Sequence, residues 1–316
     1  MYAVSAAHPD AVRIGMKILE EGGDACDGAV AVSLVLAVVE PFYSSLGGGG
    51  VTLIWRAKEE KTYFVDFSNE CSRHIEAGIF PHDENGKHLT RDYNQGHRSI
   101  LVPGLLRGLE EIISTFGSQS WGHLFEPAIR LAEEGFPVGC SYRKHQITQR
   151  FLELHESYPE FAKIHTKNGQ PLAEGDFLRQ IDLAFSLRRI AEKGAEEFYV
   201  GEIGDVLEKE IRKGGGLVDA RDLAAYQVRK LSPLVGSYRD ITYQTAPLPS
   251  SGLLLIQILN LVEVLIPAWN DANEGEKYVA FAKAMKSAFR DRFAAYGDPC
   301  HISIPIKKLQ SKDYAE

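Results

Sequence analysis

Side chains able to serve as nucleophile, base or metal ligand are present in this chain, but few stand at a spacing that chemistry requires. Ser250 and Ser251 lie in PLPSSG, without the G-x-S-x-G turn that presents a nucleophilic serine at the end of a strand. A loop-cap or packing role suits them better. His8, His74, His97, His123 and His301 are scattered, with no HExxH pair, so each reads as a surface or satisfied core histidine. Cys26, Cys71, Cys140 and Cys300 form no CxxC pair, which points neither to a zinc site nor to a disulfide framework. Cys26 belongs to an apolar helical run, where a thiol behaves as a small apolar group. Cys71 is the one cysteine in a loop, and so the thiol to consider for chemistry. No metal or organic cofactor is indicated.

The strongest local signal is EPFYSSLGGGG, running from Glu40 to Gly50 between an apolar helical stretch and the strand-like VTLIW. Successive glycines can cradle a phosphate with their backbone N–H groups. A Walker loop, however, needs Lys-Ser/Thr after the glycines, and here Val51-Thr52 follows. The dinucleotide fingerprint needs a strand before and a helix after, the reverse of this order. The better reading of Gly47, Gly48, Gly49 and Gly50 is structural: a close crossing of backbone elements, with some residues at positive φ. Gly48→Val is then expected to block assembly or maturation.

The elements that must position these groups read as strands enclosed by blocks of helix at both ends, not as a regular βαβ alternation. In HPDAVRIGMKILEEGG, Val12, Met16 and Leu19 recur at helical spacing, and Gly22-Gly23 supplies a stop. DACDGAVAVSLVLAVVE is small and apolar on nearly every face, which predicts a helix deep in the core. It is too short to span a bilayer. VTLIWRAKEEKTYFVDFSN reads as two strands joined by a turn at Ala57–Lys61, followed by an exposed irregular loop over Glu70–Arg98. Helices are expected in VPGLLRGLEEIISTFG, in SWGHLFEPAIRLAEEG and through a long run from Tyr142 to the glycines of IRKGGG. Asp219 and Asp222 are candidate caps before a strand-like segment, and two helices close the chain. Without repeats or linkers, residues 1–316 read as one domain in a layered fold.

Size and charge bound the functions open to the chain. Its 316 residues are ample for a real core, and 44% hydrophobic with 25% charged residues is ordinary globular composition. A net charge of -8 argues against general binding of nucleic acid or anionic membranes. The N-terminus lacks a basic region followed by an apolar core, so it does not read as a signal peptide, and the chain reads as cytoplasmic. A chain trimmed of a leader would read the same.

Taken in order, AAHPDAVRIGMKILEEGGDACDGAVAVSLVLAVVEPFYSSLGGGG resembles the opening of γ-glutamyltransferases and their cephalosporin-acylase-like relatives. SILVPGLLRGLEEI, SWGHLFEPAIRLAEEGFPV, LRRIAEKGAEEFYVGEI, GGGLVDARDLAAYQV, APLPSSG and FRDRFAAYGDP continue the match over nearly the whole chain. The resemblance implies an α+β fold, the four-layer αββα sandwich of the N-terminal nucleophile hydrolases, made as a precursor that cuts itself into large and small subunits. The new N-terminal threonine of the small subunit is then the nucleophile, with its own α-amine as base. The family's TTH or GDT context for that threonine does not occur in these residues, so the chain is read as the large subunit or most of it. It carries no catalytic residue of that kind.

Many members of the family have DFRE or DGRE after the second strand, with an arginine that pairs with the donor α-carboxylate. This chain has DFSNECSR, with Ser68 at the arginine position. A hydroxyl holds a carboxylate far less well than a bidentate arginine, which argues against ordinary glutathione binding and for the acylase-like branch. By the resemblance, Ser68, Asn69 and Arg73 line the donor pocket, with Arg73 as the candidate to reach it from its loop; Asp66 is structural. The implied activity is transfer or hydrolysis of γ-glutamyl or related acyl amides, with a small subunit as partner and a dimer of such heterodimers as a further assembly. Because the subunits of that sandwich share sheets, the large chain alone is expected to aggregate. A non-catalytic scaffold of the same fold and a nucleotide-binding enzyme are the alternatives.

Overall fold

Helix α1 (Pro9–Glu20) starts where Pro9 fits the first helical position and the His8 ring Nδ1 accepts the Asp10 N–H. In the computed structural model, which describes residues 2–316, its buried stripe is Ala11, Ile14, Gly15, Ile18 and Leu19. Helical spacing is therefore as expected, but the face is rotated: Val12 and Met16 are only half-buried. Gly15 explains the choice, because a Cβ there would meet Val32 Cγ2 at 2.7 Å. The smallest residue faces the neighbouring helix, and Gly22 at φ +95° ends the run.

Helix α2 (Ala25–Val39) is the core helix its composition predicts, with Val30, Ala31, Leu34, Val35 and Val38 fully buried. Asp24 and Asp27 form a reciprocal capping box. Asp27 is itself buried and also accepts the backbone N–H groups of Ser118 and Gln119 and the Ser118 hydroxyl. Burial pushes this carboxyl up, but the hydrogen bonds outweigh it and hold the pKa below its usual value. Helices α3 (Leu105–Phe116) and α4 (Trp121–Glu134) pack on α2 as amphipathic elements.

The chain divides into two compact units, one of residues up to Gly50 plus Phe67–Val228, the other Val51–Asp66 plus Arg229–Glu316. In the first, the helical run after Tyr142 is broken over residues 166–178. Short ladders there pair Thr166–Lys167 with Gln170–Pro171 and Phe136–Pro137 with Phe177–Leu178. Asn168 and Gly169, both at positive φ, make the two-residue hairpin turn, and Gly175 is likewise at positive φ.

Strands β1 (Gly50–Arg56) and β2 (Lys61–Phe67), whose residues 51–66 belong to the second unit, are joined by a turn at the expected place. The sheet order is β1, β2, then the strand Arg229–Leu231, antiparallel to β2 with Asp66 opposite Arg229. A hairpin of Leu234–Tyr238 and Ile241–Thr245 follows, then helices Gly252–Leu265 and Glu274–Ala295. Leu254, Ile258, Val262, Ala284 and Ala288 form the core between those two helices. No helix among the described residues is long and apolar enough to cross a membrane.

Candidate functional site

The glycine run is built by close approach and not by unusual torsion: none of Gly47, Gly48, Gly49 or Gly50 has a positive φ, against expectation. At Gly49 a Cβ would stand 2.5 Å from Asn69 Oδ1 and 2.7 Å from both Asn69 N and Phe67 O. At Gly50 it would meet the Phe67 ring at 2.8 Å, and at Gly48 the Ser45 carbonyl at 3.0 Å. Gly47 meets only Ser45 Oγ, at 3.8 Å. The tight position is thus Gly49, pressed on the backbone that leads out of β2.

The opposite wall comes from α3. A Cβ on Gly104 would lie 2.0 Å from Phe67 O, and one on Gly108 2.1 Å from Phe67 Cγ, so these two glycines make the slot for Phe67. The Gly48 carbonyl accepts the N–H groups of Gly104 and Leu105, which satisfies two donors at the start of α3. Below the slot, Tyr199 and Tyr226 stack with ring centroids 6.1 Å apart. The Tyr199 hydroxyl donates to Pro103 O and the Tyr226 hydroxyl to Ser68 O. Desolvation raises the Tyr199 pKa, so it stays a neutral donor. Neither tyrosine was singled out by spacing. The glycines at helical separation in VPGLLRGL were the available signal for the slot.

Ser68 and Asn69 follow Phe67 directly. Both are half-buried, and the Asn69 amide donates to Gly47 O at 3.1 Å, locking the glycine run to this corner. Glu70 is then tied to Val102 by two backbone hydrogen bonds. Beside the corner lies a cavity of about 700 Å³, with Gly47 and Asn69 in its wall.

Arg73 is placed differently. Its guanidinium donates to Asp219, while its backbone N–H and the Ser72 hydroxyl reach Asp222. His74 Nε2 is 3.0 Å from Asp219. Burial pushes the Asp219 carboxyl up, but the bonds from His74, the Asp222 N–H and Arg73 hold it well below the usual range. Asp219 and Asp222 are also the capping box of the helix Ala220–Ala225, as expected of caps. His74, Asp219 and Asp222 are the one cluster of metal-type ligands among the described residues. Arginine and backbone donors already occupy those carboxylates, so the cluster is a loop anchor joining residues 145 apart in sequence.

In the second unit, Asp66 is buried and accepts from Arg229 at 2.9 Å. Burial alone would lower the Arg229 pKa, but attraction to Asp66 and Asp298 raises it above the ordinary value. Ser251 occupies the cap position of its helix, with its hydroxyl accepting from Arg292. Cys71, Cys140 and Cys300 are exposed free thiols and Cys26 is buried in α2.

Residues 11–316 match the sequence profile of gamma-glutamyltranspeptidase. The chain belongs to that family. A glutathione hydrolase proenzyme of Bacillus subtilis (strain 168) is 34% identical over 316 residues, covering 98% of this chain and 53% of its own length. Acylase ACY 1 proenzyme of Pseudomonas sp. (strain V22) is 35% identical, covering 98% of this chain and 56% of itself. The chain thus spans about half the length of the curated relatives it matches. The crystal structure of Helicobacter pylori gamma-glutamyltranspeptidase superposes with a TM-score of 0.93 at 34% identity, over 100% of this chain and 90% of that one. The gamma-glutamyltranspeptidase fold is the α+β N-terminal nucleophile hydrolase fold that the motif order implied.

Proposed function

We propose that this chain is the large-subunit half of an enzyme that transfers or hydrolyses γ-glutamyl or related acyl amides, using an N-terminal threonine carried by a small subunit. The observation that carries this reading is the family match over 11–316, together with the structural likeness at a TM-score of 0.93. In the reaction, the threonine hydroxyl attacks the amide carbonyl, the C–N bond breaks, and the amine leaves with a proton. Water or an acceptor amine then takes the acyl group and restores the threonine.

The chain's own contribution is the Ser68–Asn69 corner, held between the glycine run and α3. Its rigidity suits substrate positioning, because each wall is fixed by backbone contacts. The corner brings no arginine of its own, since Ser68 stands where the family's donor arginine is common and Arg73 is engaged by Asp219. Recognition of the donor therefore rests on groups other than a guanidinium from this loop.

The test is turnover of γ-glutamyl-p-nitroanilide and of simple acyl p-nitroanilides by the complete natural protein, compared with a variant in which the small-subunit threonine is alanine. Release of p-nitroaniline by the first and none by the second is expected. Absence of turnover on every amide, or equal turnover by the alanine variant, would contradict the reading.

A further inference from the structure

The loop from α2 to the glycine run is held by a module far along the chain, the helices Cys140–Gln146, Gln149–Ser157 and Pro159–His165. The Phe42 ring packs among Tyr142, Phe151 and His165, one from each helix, at centroid distances of 4.9, 4.6 and 5.8 Å. Tyr43 follows, with its hydroxyl 2.5 Å from His145 Nε2. From there the chain enters the glycine run through hydrogen-bonded turns, Ser44 N–H to Glu40 O and Gly48 N–H to Ser45 O. Gly47 O then takes the Asn69 amide and Gly48 O the N–H groups of Gly104 and Leu105. What fixes Phe42 therefore fixes one end of the segment that braces the Ser68–Asn69 corner. All these contacts lie within this chain, and a subunit packed on it can deepen their burial but not undo it.

At the centre of the module, Tyr142 and His165 are both buried, with the hydroxyl 2.5 Å from His165 Nδ1. Burial keeps Tyr142 a neutral phenol by raising its pKa. The neutral imidazole can accept that hydroxyl at Nδ1; the imidazolium cannot, because both its nitrogens donate. The titratable groups that face the ring are Tyr142 and, from the middle helix, His155, which disfavours a cation there. Phe42 from the loop and Phe161 from its own helix carry no charge to receive one. We propose that this module positions the donor corner through Phe42, and does so only while His165 is neutral: a proton on Nδ1 drives the ring out, frees Phe42 and loosens the glycine run. The proposal rests on the acyl-transfer reading above for what the corner does, and adds control of that corner by pH. Its sign follows from the burial of His165, whose pKa is pushed from 6.5 down to about 4. Between those values the opened module binds a proton that the closed one refuses, so opening is favoured as pH falls.

Hydrogen exchange on the complete natural protein, corrected at each pH for the intrinsic rate, tests the coupling over residues 140–165, over 42–50 and at the Gly104 and Leu105 amides. Protection of the module and of the corner segments should fall together from pH 6.5 to 4, by up to roughly 300-fold. His165→Gln, whose amide can still meet the Tyr142 hydroxyl but does not titrate, should lessen that fall at least about tenfold in every segment. An equal fall in the variant would overturn the proposal. So would wild-type corner segments whose protection does not follow that of the module, a result that needs no variant to fold. The second readout is kcat/KM on γ-glutamyl- and hexanoyl-p-nitroanilide, taken within each protein as the ratio of its value at about pH 5 to that at about pH 7.5. Protonation of the threonine amine lowers both proteins alike, so the ratio should be at least about threefold higher in His165→Gln. Equal ratios would overturn the link from Phe42 to the corner. Coupled exchange with no turnover of any anilide would uphold the proton-sensitive module and overturn the acyl-transfer reading; turnover with uncoupled exchange would do the reverse.

Discussion

Phe67 shows what the four glycines are for. Gly50, Gly104 and Gly108 surround its ring and carbonyl, and Gly49 rests on the next turn of backbone at Asn69. The sequence was right about close packing but could not say which glycine bears it. That depends on the approach of Phe67 to Gly104 and Gly108, which are distant from it in sequence. Gly49→Ala should cost about 2–3 kcal/mol, since the obstructing atoms include backbone that cannot rotate away, whereas Gly47→Ala should be near neutral. Urea midpoints of the two variants measure the difference; equal midpoints would refute the packing argument. Gly48→Val remains a poor substitution, because it adds bulk 3.0 Å from the Ser45 carbonyl, but Gly49 is the sharper probe. Ser68 carries the specificity claim at this scale. Ser68→Arg should raise kcat/KM for γ-glutamyl donors by roughly 10- to 100-fold, the worth of a charge-assisted pair of about 1.5–3 kcal/mol. No gain on γ-glutamyl anilide would mean that the corner does not face the donor carboxylate.

Among the elements, helix identity was legible from apolar period in α1, α3 and α4 and, in α2, from a sequence that is apolar on nearly every face. The buried face of α1 was not, because Gly15 and Ala11 look neutral in a hydrophobic count yet permit the closest approach. The break over residues 166–178 was also missed, although Asn168-Gly169 is a strong two-residue turn signal. The Asp219 anchor could not be seen because its partners lie in a distant loop. The helices before that break meet in an aromatic cluster: Phe42 contacts the rings of Tyr142, Phe151 and His165, and the Tyr142 hydroxyl is 2.5 Å from His165 Nδ1. Burial, helped by His155, pushes the His165 pKa from 6.5 down to about 4. Between those values the unfolded chain binds a proton that the folded chain refuses, so stability falls as pH drops from 6.5 to 4. The loss should be on the order of 3 kcal/mol. His165→Gln should flatten this part of a denaturation-versus-pH curve; an unchanged slope would show that another group controls it.

For the whole molecule, sequence order alone disclosed the family and fold, since several motifs in register are more specific than any single one. The division of the contacts into two units was not visible, because β1 and the segment to Asp66 leave the first unit and join strands from beyond residue 228. In the second unit, β1 is the edge of its sheet and exposes Val51, Leu53 and Trp55 on one face. An apolar edge strand invites pairing, so these 316 residues produced alone should associate, as light scattering would show. A monodisperse monomer with a cooperative melt would contradict that. The central claim is that a separate threonine-bearing subunit completes the enzyme. Intact-mass and N-terminal sequence measurement of the complete natural protein under denaturing conditions tests it most directly. Two polypeptides are predicted, one containing this sequence and the other beginning with threonine; a single uncut polypeptide, or a second chain beginning with another residue, would contradict the account.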